Sequence, residues 1–141
     1  MSGTVVVGYL PTPEGLAAYE RAKDEAALTG SRLVVVNTGK AGDYSGPDFA
    51  TPADLDAIRA ELEASGIPFA VVQPTTGLAA AEEILNVAEL EDATLIVIGI
   101  RHRTPVGKLF LGSTSQQVLL GAKAPVLAVK ARRASADRAQ A

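Results

Sequence analysis

The chain has 141 residues, 48% of them hydrophobic and 21% charged, with a net charge of −3, one His, no Trp and no Cys. One domain of this size buries well over half of its unfolded surface without covalent help, and the lack of Cys excludes a disulfide framework, a thiolate metal site, an iron–sulfur cluster and a cysteine nucleophile. Few aromatics (4%) and an acidic balance speak against nucleic-acid partners; no apolar run approaches the roughly 20 residues of a bilayer span, and Met1-Ser2-Gly3-Thr4 has no basic stretch, so a cytoplasmic protein without a membrane partner is expected.

In chain order, the first apolar run is Thr4-Val5-Val6-Val7, followed by an Ala-rich helical segment from Gly15 to Leu28. The second run is Arg32-Leu33-Val34-Val35-Val36, and the long loop after it, Gly39 to Ala50, is rich in Gly, Asp and Ser and reads as a surface excursion. A helix follows in which Leu55, Ile58 and Leu62 share one face. Then come the run Pro68-Phe69-Ala70-Val71-Val72, a helix striped by Leu78, Ala81, Leu85 and Ala88, and the run Thr94-Leu95-Ile96-Val97-Ile98. A last helix begins near Ser113 and precedes Pro125-Val126-Leu127-Ala128-Val129.

The runs are continuous rather than alternating, as suits strands covered on both faces in a parallel sheet. Thr12-Pro13 and Thr51-Pro52 each place a capping hydroxyl before Pro at the first helical position. Gly30, Gly66 and Gly121 read as helix stops. The order β-α-β-α-β-α-β-α-β with short connections predicts an α/β domain over residues 1–130, a five-stranded parallel sheet with helices on both faces. The tail 131–141 has no apolar periodicity and is expected to fray.

Charge is unevenly spread. Residues 1–92 sum to −10, whereas 93–136 contain no acid and carry Arg101, Arg103, Lys108, Lys123, Lys130, Arg132 and Arg133. An anion, if one binds, belongs in that segment. In open α/β sheets ligands lie beyond the carboxyl ends of the strands, which directs attention to Gly99-Ile100-Arg101-His102-Arg103 and on to Gly112-Ser113-Thr114-Ser115-Gln116. A glycine and three hydroxyl residues at a helix start offer N–H and O–H donors at the positive end of a helix dipole. The same residues also read as a capping box, Ser113-x-x-Gln116, with no ligand needed. Tyr9 has two readings as well: a ring that stacks on a base, or one that closes the core.

Standard fingerprints are missing. Gly107-Lys108 is followed by Leu109 rather than Ser or Thr; no Gly-x-Gly-x-x-Gly follows the first run; no Gly-x-Ser-x-Gly occurs. No water-activating base lies near the loop apart from His102, so catalysis, such as a slow ATPase, has little support in the residues.

The spacing Gly99, two residues, His102, nine residues, Gly112-Ser113 resembles the ATP-binding signature of the universal stress protein family, in which Gly-x-x-Gly, nine residues, Gly-Ser/Thr follows the fourth strand. The strand pattern, the long second loop and the closing Ala124-Pro125-Val126-Leu127-Ala128-Val129 are similar to that family too. The resemblance spans residues 3 to 130. It implies an adenine nucleotide alpha hydrolase-like fold, ATP or another adenine nucleotide as ligand, a homodimer paired through the fifth strand (Val126 to Val129), and a regulatory, non-catalytic part in stress response. It also implies adenine near Gly8, Tyr9, Leu10 and Thr38, ribose and phosphates near Ile98, Gly99 and His102, and phosphate donors at Gly112, Ser113 and Thr114; no metal ligand is assigned.

Two positions depart from the family pattern: His102 replaces the second motif glycine, and Leu10 stands where members carry an acid. An imidazole between Arg101 and Arg103 can reach a phosphate, most effectively when protonated below about pH 6.5. It can equally fill the space a ligand needs. The alternative is therefore a dimeric interaction module of the same fold that binds no nucleotide.

Overall fold

The five apolar runs become five strands in a computed structural model that describes residues 3–38, 50–74, 78–100 and 111–131. They are β1 (Thr4–Tyr9), β2 (Arg32–Asn37), β3 (Phe69–Val72), β4 (Leu95–Ile100) and β5 (Val126–Lys130). Among the described residues four helices alternate with them: α1 (Pro13–Thr29), α2 (Pro52–Ser65), α3 (Ala80–Leu90) and α4 (Ser113–Gly121). The strands form one parallel sheet in the order β3-β2-β1-β4-β5. No helix among the described residues is long and apolar enough to cross a membrane.

Side chains alternate across each strand, and both faces are covered, which is why the runs are continuous. Val5, Val7, Leu33, Val35 and Val97 pack with Ala18, Ala22, Leu55 and Leu62 of α1 and α2. On the other face Val6, Val34, Val36, Ile96 and Ile98 pack with Ala81 and Ile84 of α3 and Val118 of α4. Right-handed crossovers account for the split, because the chain runs outward from β1 to β3, then returns past β1 to β4 and β5. The direction reverses between β1 and β4, and in open sheets of this kind ligands bind beyond the carboxyl ends of the strands at such a reversal.

Thr12 Oγ1 accepts from Gly15 N at 3.1 Å, and Thr51 forms a full capping box with Asp54. Gly30 and Gly66 end their helices in the left-handed region, at φ 65° and 78°. Gly121 does not act as a stop of this kind. It lies in the last turn of α4, which ends through extended Ala122, and its small size serves packing: a Cβ there would come 2.9 Å from Leu85 Cδ1. The stripe on α3 is rotated from the expected one, with Ala81, Ile84, Val87 and Ala88 buried, while Leu85 is half-buried against α4 and Leu78 precedes the helix. Residues 39–49 of the long loop and 132–141 of the tail lie outside the described residues.

The first turn of α1 lies against the end of β4. A Cβ on Gly99 would sit 2.3 Å from the Glu14 carbonyl oxygen, and one on Gly15 would sit 1.9 Å from that of Leu10. Both obstacles are backbone, which cannot swing aside. Deeper along α1, Tyr19 meets Tyr9 edge to face at 6.0 Å, and its hydroxyl donates to Glu61 Oε1 on α2 at 2.8 Å. Lys23 Nζ reaches the same oxygen at 2.5 Å. These bonds, from Lys23 first and then Tyr19, hold the Glu61 carboxyl below its ordinary value of 4.5.

Because the folded value is depressed, the Glu61 contribution is present at neutral pH and disappears as pH falls through it. The stability difference between wild type and Glu61→Gln, read from urea midpoints, should therefore be largest near neutrality and shrink below pH 4.5; a constant difference down to pH 3 contradicts the bridge. Gly99→Ala should cost about 1–3 kcal/mol in the same assay, the usual cost of overpacking. A midpoint equal to wild type would show that α1 does not rest on this glycine.

Candidate functional site

At the carboxyl ends of β1, β2 and β4 the structure places Gly8, Tyr9, Leu10, Thr38, Ile98 and Gly99. Gly8 faces α3, and a Cβ there would come 2.6 Å from Ile84 Cδ1 and 3.7 Å from Thr38 Cγ2. Tyr9 is buried in the α1 face of the core, and desolvation, followed by the charge of Asp54, raises its phenol. The ring therefore closes the core and is not free to stack on a ligand, whereas its backbone remains at the strand end. Thr38, also buried, donates to the Tyr9 carbonyl from both N and Oγ1, each at 3.1 Å, tying the ends of β1 and β2 together. Leu10 is half-buried and its carbonyl lies over Gly15.

Ile98 is buried among the α3 and α4 side chains, so a ligand can meet only its backbone end. Gly99 is occupied on its open side by the protein's own Glu14, so its small size is explained by helix packing rather than by the approach of a ligand. His102, with Arg101 and Arg103, lies outside the described residues.

The start of α4 differs from the capping box expected there. Gly112 is the N-cap residue, in an extended conformation (φ −71°, ψ 170°), Ser113 already lies in the helix, and no side chain caps the end. Gln116 Nε2 donates to the Leu111 carbonyl at 3.4 Å instead. With the cap one residue earlier than expected, the third helical position is Ser115, not Gln116, and a reciprocal box cannot form. Gly112, Ser113 and Thr114 are exposed, and among the described residues a Cβ on Gly112 would meet no atom within 4 Å. Neither its backbone angle nor packing against the described residues requires a glycine at 112. Among the described residues, what its lack of a side chain leaves is room in front of a helix N-terminus, an end that attracts anions.

Two polar residues were not singled out in the sequence. Asn37, at the end of β2 and 1% exposed, uses its amide three times: Nδ2 donates to the Ala50 carbonyl (3.3 Å) and Gln73 Oε1 (3.4 Å), and Oδ1 accepts from Ala50 N (3.4 Å). A polar residue closing an otherwise apolar strand is the signal that could have found it. Glu14, buried in the first turn of α1, is favoured there by the helix dipole. Among the described residues no cluster of His, Cys, Asp or Glu is placed to hold a metal ion. A groove of about 200 Å³ opens at the opposite end of the sheet, between the last turns of α3 and α4, and takes no part in this arrangement.

Comparison with known proteins agrees with the arrangement of strands. A universal stress protein from Mycolicibacterium smegmatis is 45% identical over 126 residues, covering 89% of this chain and 96% of that protein. The structure of the universal stress protein from Archaeoglobus fulgidus in complex with dAMP superposes with a TM-score of 0.60 at 22% identity, covering 92% of this chain and 98% of that one. A universal stress protein in complex with cAMP does so at 0.65 and 24%, covering 93% and 98%. At those identities the two structures establish the fold alone. The profile of the Universal stress protein family matches residues 1–130, and the chain belongs to that family.

Proposed function

We propose that this chain binds ATP or another adenine nucleotide in the crevice between β1 and β4, in a regulatory and non-catalytic role in stress response. The observation that carries the reading is the start of α4, which among the described residues has no side-chain cap and no atom within 4 Å of a Cβ on Gly112. The dAMP and cAMP of the two relatives share an adenine and a phosphate. In this chain the phosphates would lie at Gly112, Ser113 and Thr114, with the acid-free segment and His102 supplying positive charge. Adenine would meet Gly8 and the backbone of Tyr9, Leu10 and Thr38, since the Tyr9 ring and the Thr38 hydroxyl are engaged elsewhere.

A second reading rests on Leu10: an apolar, half-buried side chain holds the position where the family pattern has an acid, as suits an interaction module without ligand. In either reading β5 is the contact edge. Ile96 N donates to the Pro125 carbonyl at 2.9 Å, so by alternation Val126 and Ala128 turn their N–H groups outward. Pairing that edge across a two-fold axis removes an aggregation hazard.

The test is calorimetric titration of ATP, with and without magnesium, into protein unfolded, stripped and refolded. Saturation near one ligand per chain is expected, and Gly112→Val should weaken it at least about tenfold, the equivalent of 1.4 kcal/mol, without moving the melting temperature. Equal affinity in Gly112→Val removes the phosphate site from α4. A flat wild-type trace that becomes saturable in His102→Gly combined with Leu10→Asp favours the module. For assembly, sedimentation at micromolar concentration should give twice the chain mass for wild type and the chain mass for Ala128→Pro, a change that edge strands tolerate; a wild-type monomer refutes the β5 pairing.

A further inference from the structure

Acids outnumber bases in this chain, 16 to 13, so a cation with no carboxylate beside it is the exception. Among the described residues Arg21, Lys23, Arg32, Arg59 and Lys123 each pair with an acid. Lys130, the last residue of β5, is exposed and, among the described residues, pairs with none.

Register and alternation fix where Lys130 stands. It lies beside Ile100 at the carboxyl end of β4. Val126 packs into the core between the sheet and helices α3 and α4, so Ala128 and Lys130 share that face. The crossover helix α4 covers the same face and, following β4, starts at the same carboxyl edge. Lys130 is therefore on the face and at the edge where Gly112, Ser113 and Thr114 open α4.

Ser115 is the second mark of a ligand there. This third residue of α4 is only 9% exposed. It shares its side of the helix with Val118, which packs in the same core as Ile98 and Val126. Its Cα–Cβ bond tilts toward the helix start, as helical geometry requires. Among the described residues the hydroxyl has no hydrogen-bond partner, and since no fully enclosed side-chain oxygen or nitrogen there lacks one, the oxygen reaches the surface. A hydroxyl sunk in the first turn, leaning to the amino end and bonded to nothing, is free to donate to an oxygen arriving in front of the helix.

We infer that Lys130 selects the ligand by its number of phosphates: the α4 start and Ser115 hold one phosphate, and Lys130 takes an oxygen of a further one, so that the ligand is an adenosine di- or triphosphate rather than a monophosphate. The inference rests on the nucleotide reading above and sharpens it. Helix amides act at short range on the group directly before them, whereas a Lys ammonium on its flexible stem is a point charge whose attraction grows with the charge of the ligand. The two parts therefore answer to different features of the ligand and can be separated by experiment.

The test is calorimetric titration of AMP, ATP and inorganic pyrophosphate, without magnesium, into stripped and refolded wild type, Lys130→Gln, Lys130→Arg and Ser115→Ala. Wild type should hold ATP more tightly than AMP. Lys130→Gln should weaken ATP at least about fivefold and leave AMP within about twofold, as suits one exposed charge, while Lys130→Arg keeps the preference. Ser115→Ala should weaken both nucleotides alike without lowering the melting temperature, because its hydroxyl bonds nothing in the fold. An ATP-to-AMP ratio unmoved by Lys130→Gln overturns the inference and leaves nucleotide binding standing. A preference lost only together with a change of sedimenting mass also overturns it, since β5 is the proposed pairing edge. Pyrophosphate that binds wild type and is lost in Lys130→Gln, with no ATP bound, keeps Lys130 as a phosphate ligand and removes the nucleotide reading; if neither binds wild type, both fall.

Discussion

The closeness with which the first turn of α1 lies on the end of β4 governs the upper end of this molecule. Two backbone carbonyls, Glu14 and Leu10, occupy the space that side chains at 99 and 15 would need. With those glycines in place α1 starts directly beside the point where strand order reverses. Its inward face then carries Tyr19 to Tyr9 and on to Glu61 of α2. The sheet end beside the strand reversal is therefore flanked by helix backbone, held from behind by an aromatic pair and a bridged carboxylate.

The two ends of the sheet have different chemistry for a common reason. In a parallel α/β fold every helix points its amino end at one edge and its carboxyl end at the other. One edge therefore gathers partial positive charge, with donors such as those around Gly112. The other gathers helix ends whose side chains have no strand left to pack on, and there Leu28, Leu90 and Leu120 stand in solvent. Helix starts with free donors and helix ends with exposed leucines are thus held at opposite poles by the geometry of the crossover.

Much of this was legible in the residues. Continuous β-branched runs gave every strand to within two residues, since burial on both faces leaves little choice of composition. Thr12 and Thr51 marked helix starts because a hydroxyl before Pro satisfies exposed amides by a local rule. Local rules failed where tertiary contacts decide. Whether Ser113 or Gly112 caps α4 is not decided by residue type, since both suit an N-cap. The role of Gly99 depends on a helix that is distant in sequence, and that of Gly121 on Leu85 across an interhelical contact. The α3 stripe slipped because Leu85 finds its apolar contact on α4 and not on the sheet. Of the candidate site, the helix start beside Gly112 could be read within one residue, but the engagement of Tyr9 and Thr38 in the fold could not, as each requires its partner in space.

Asn37 has one more implication. Its amide grips both the N–H and the carbonyl of Ala50, so the chain between 38 and 50 leaves and rejoins the domain at a fixed gate. Once the gate is closed by hydrogen bonds, the length of what passes through matters little: doubling a loop adds only about 0.6 kcal/mol of closure entropy. The strands and α2 are thereby insulated from changes in that segment. A lineage could lengthen, shorten or rewrite it while leaving the sheet undisturbed.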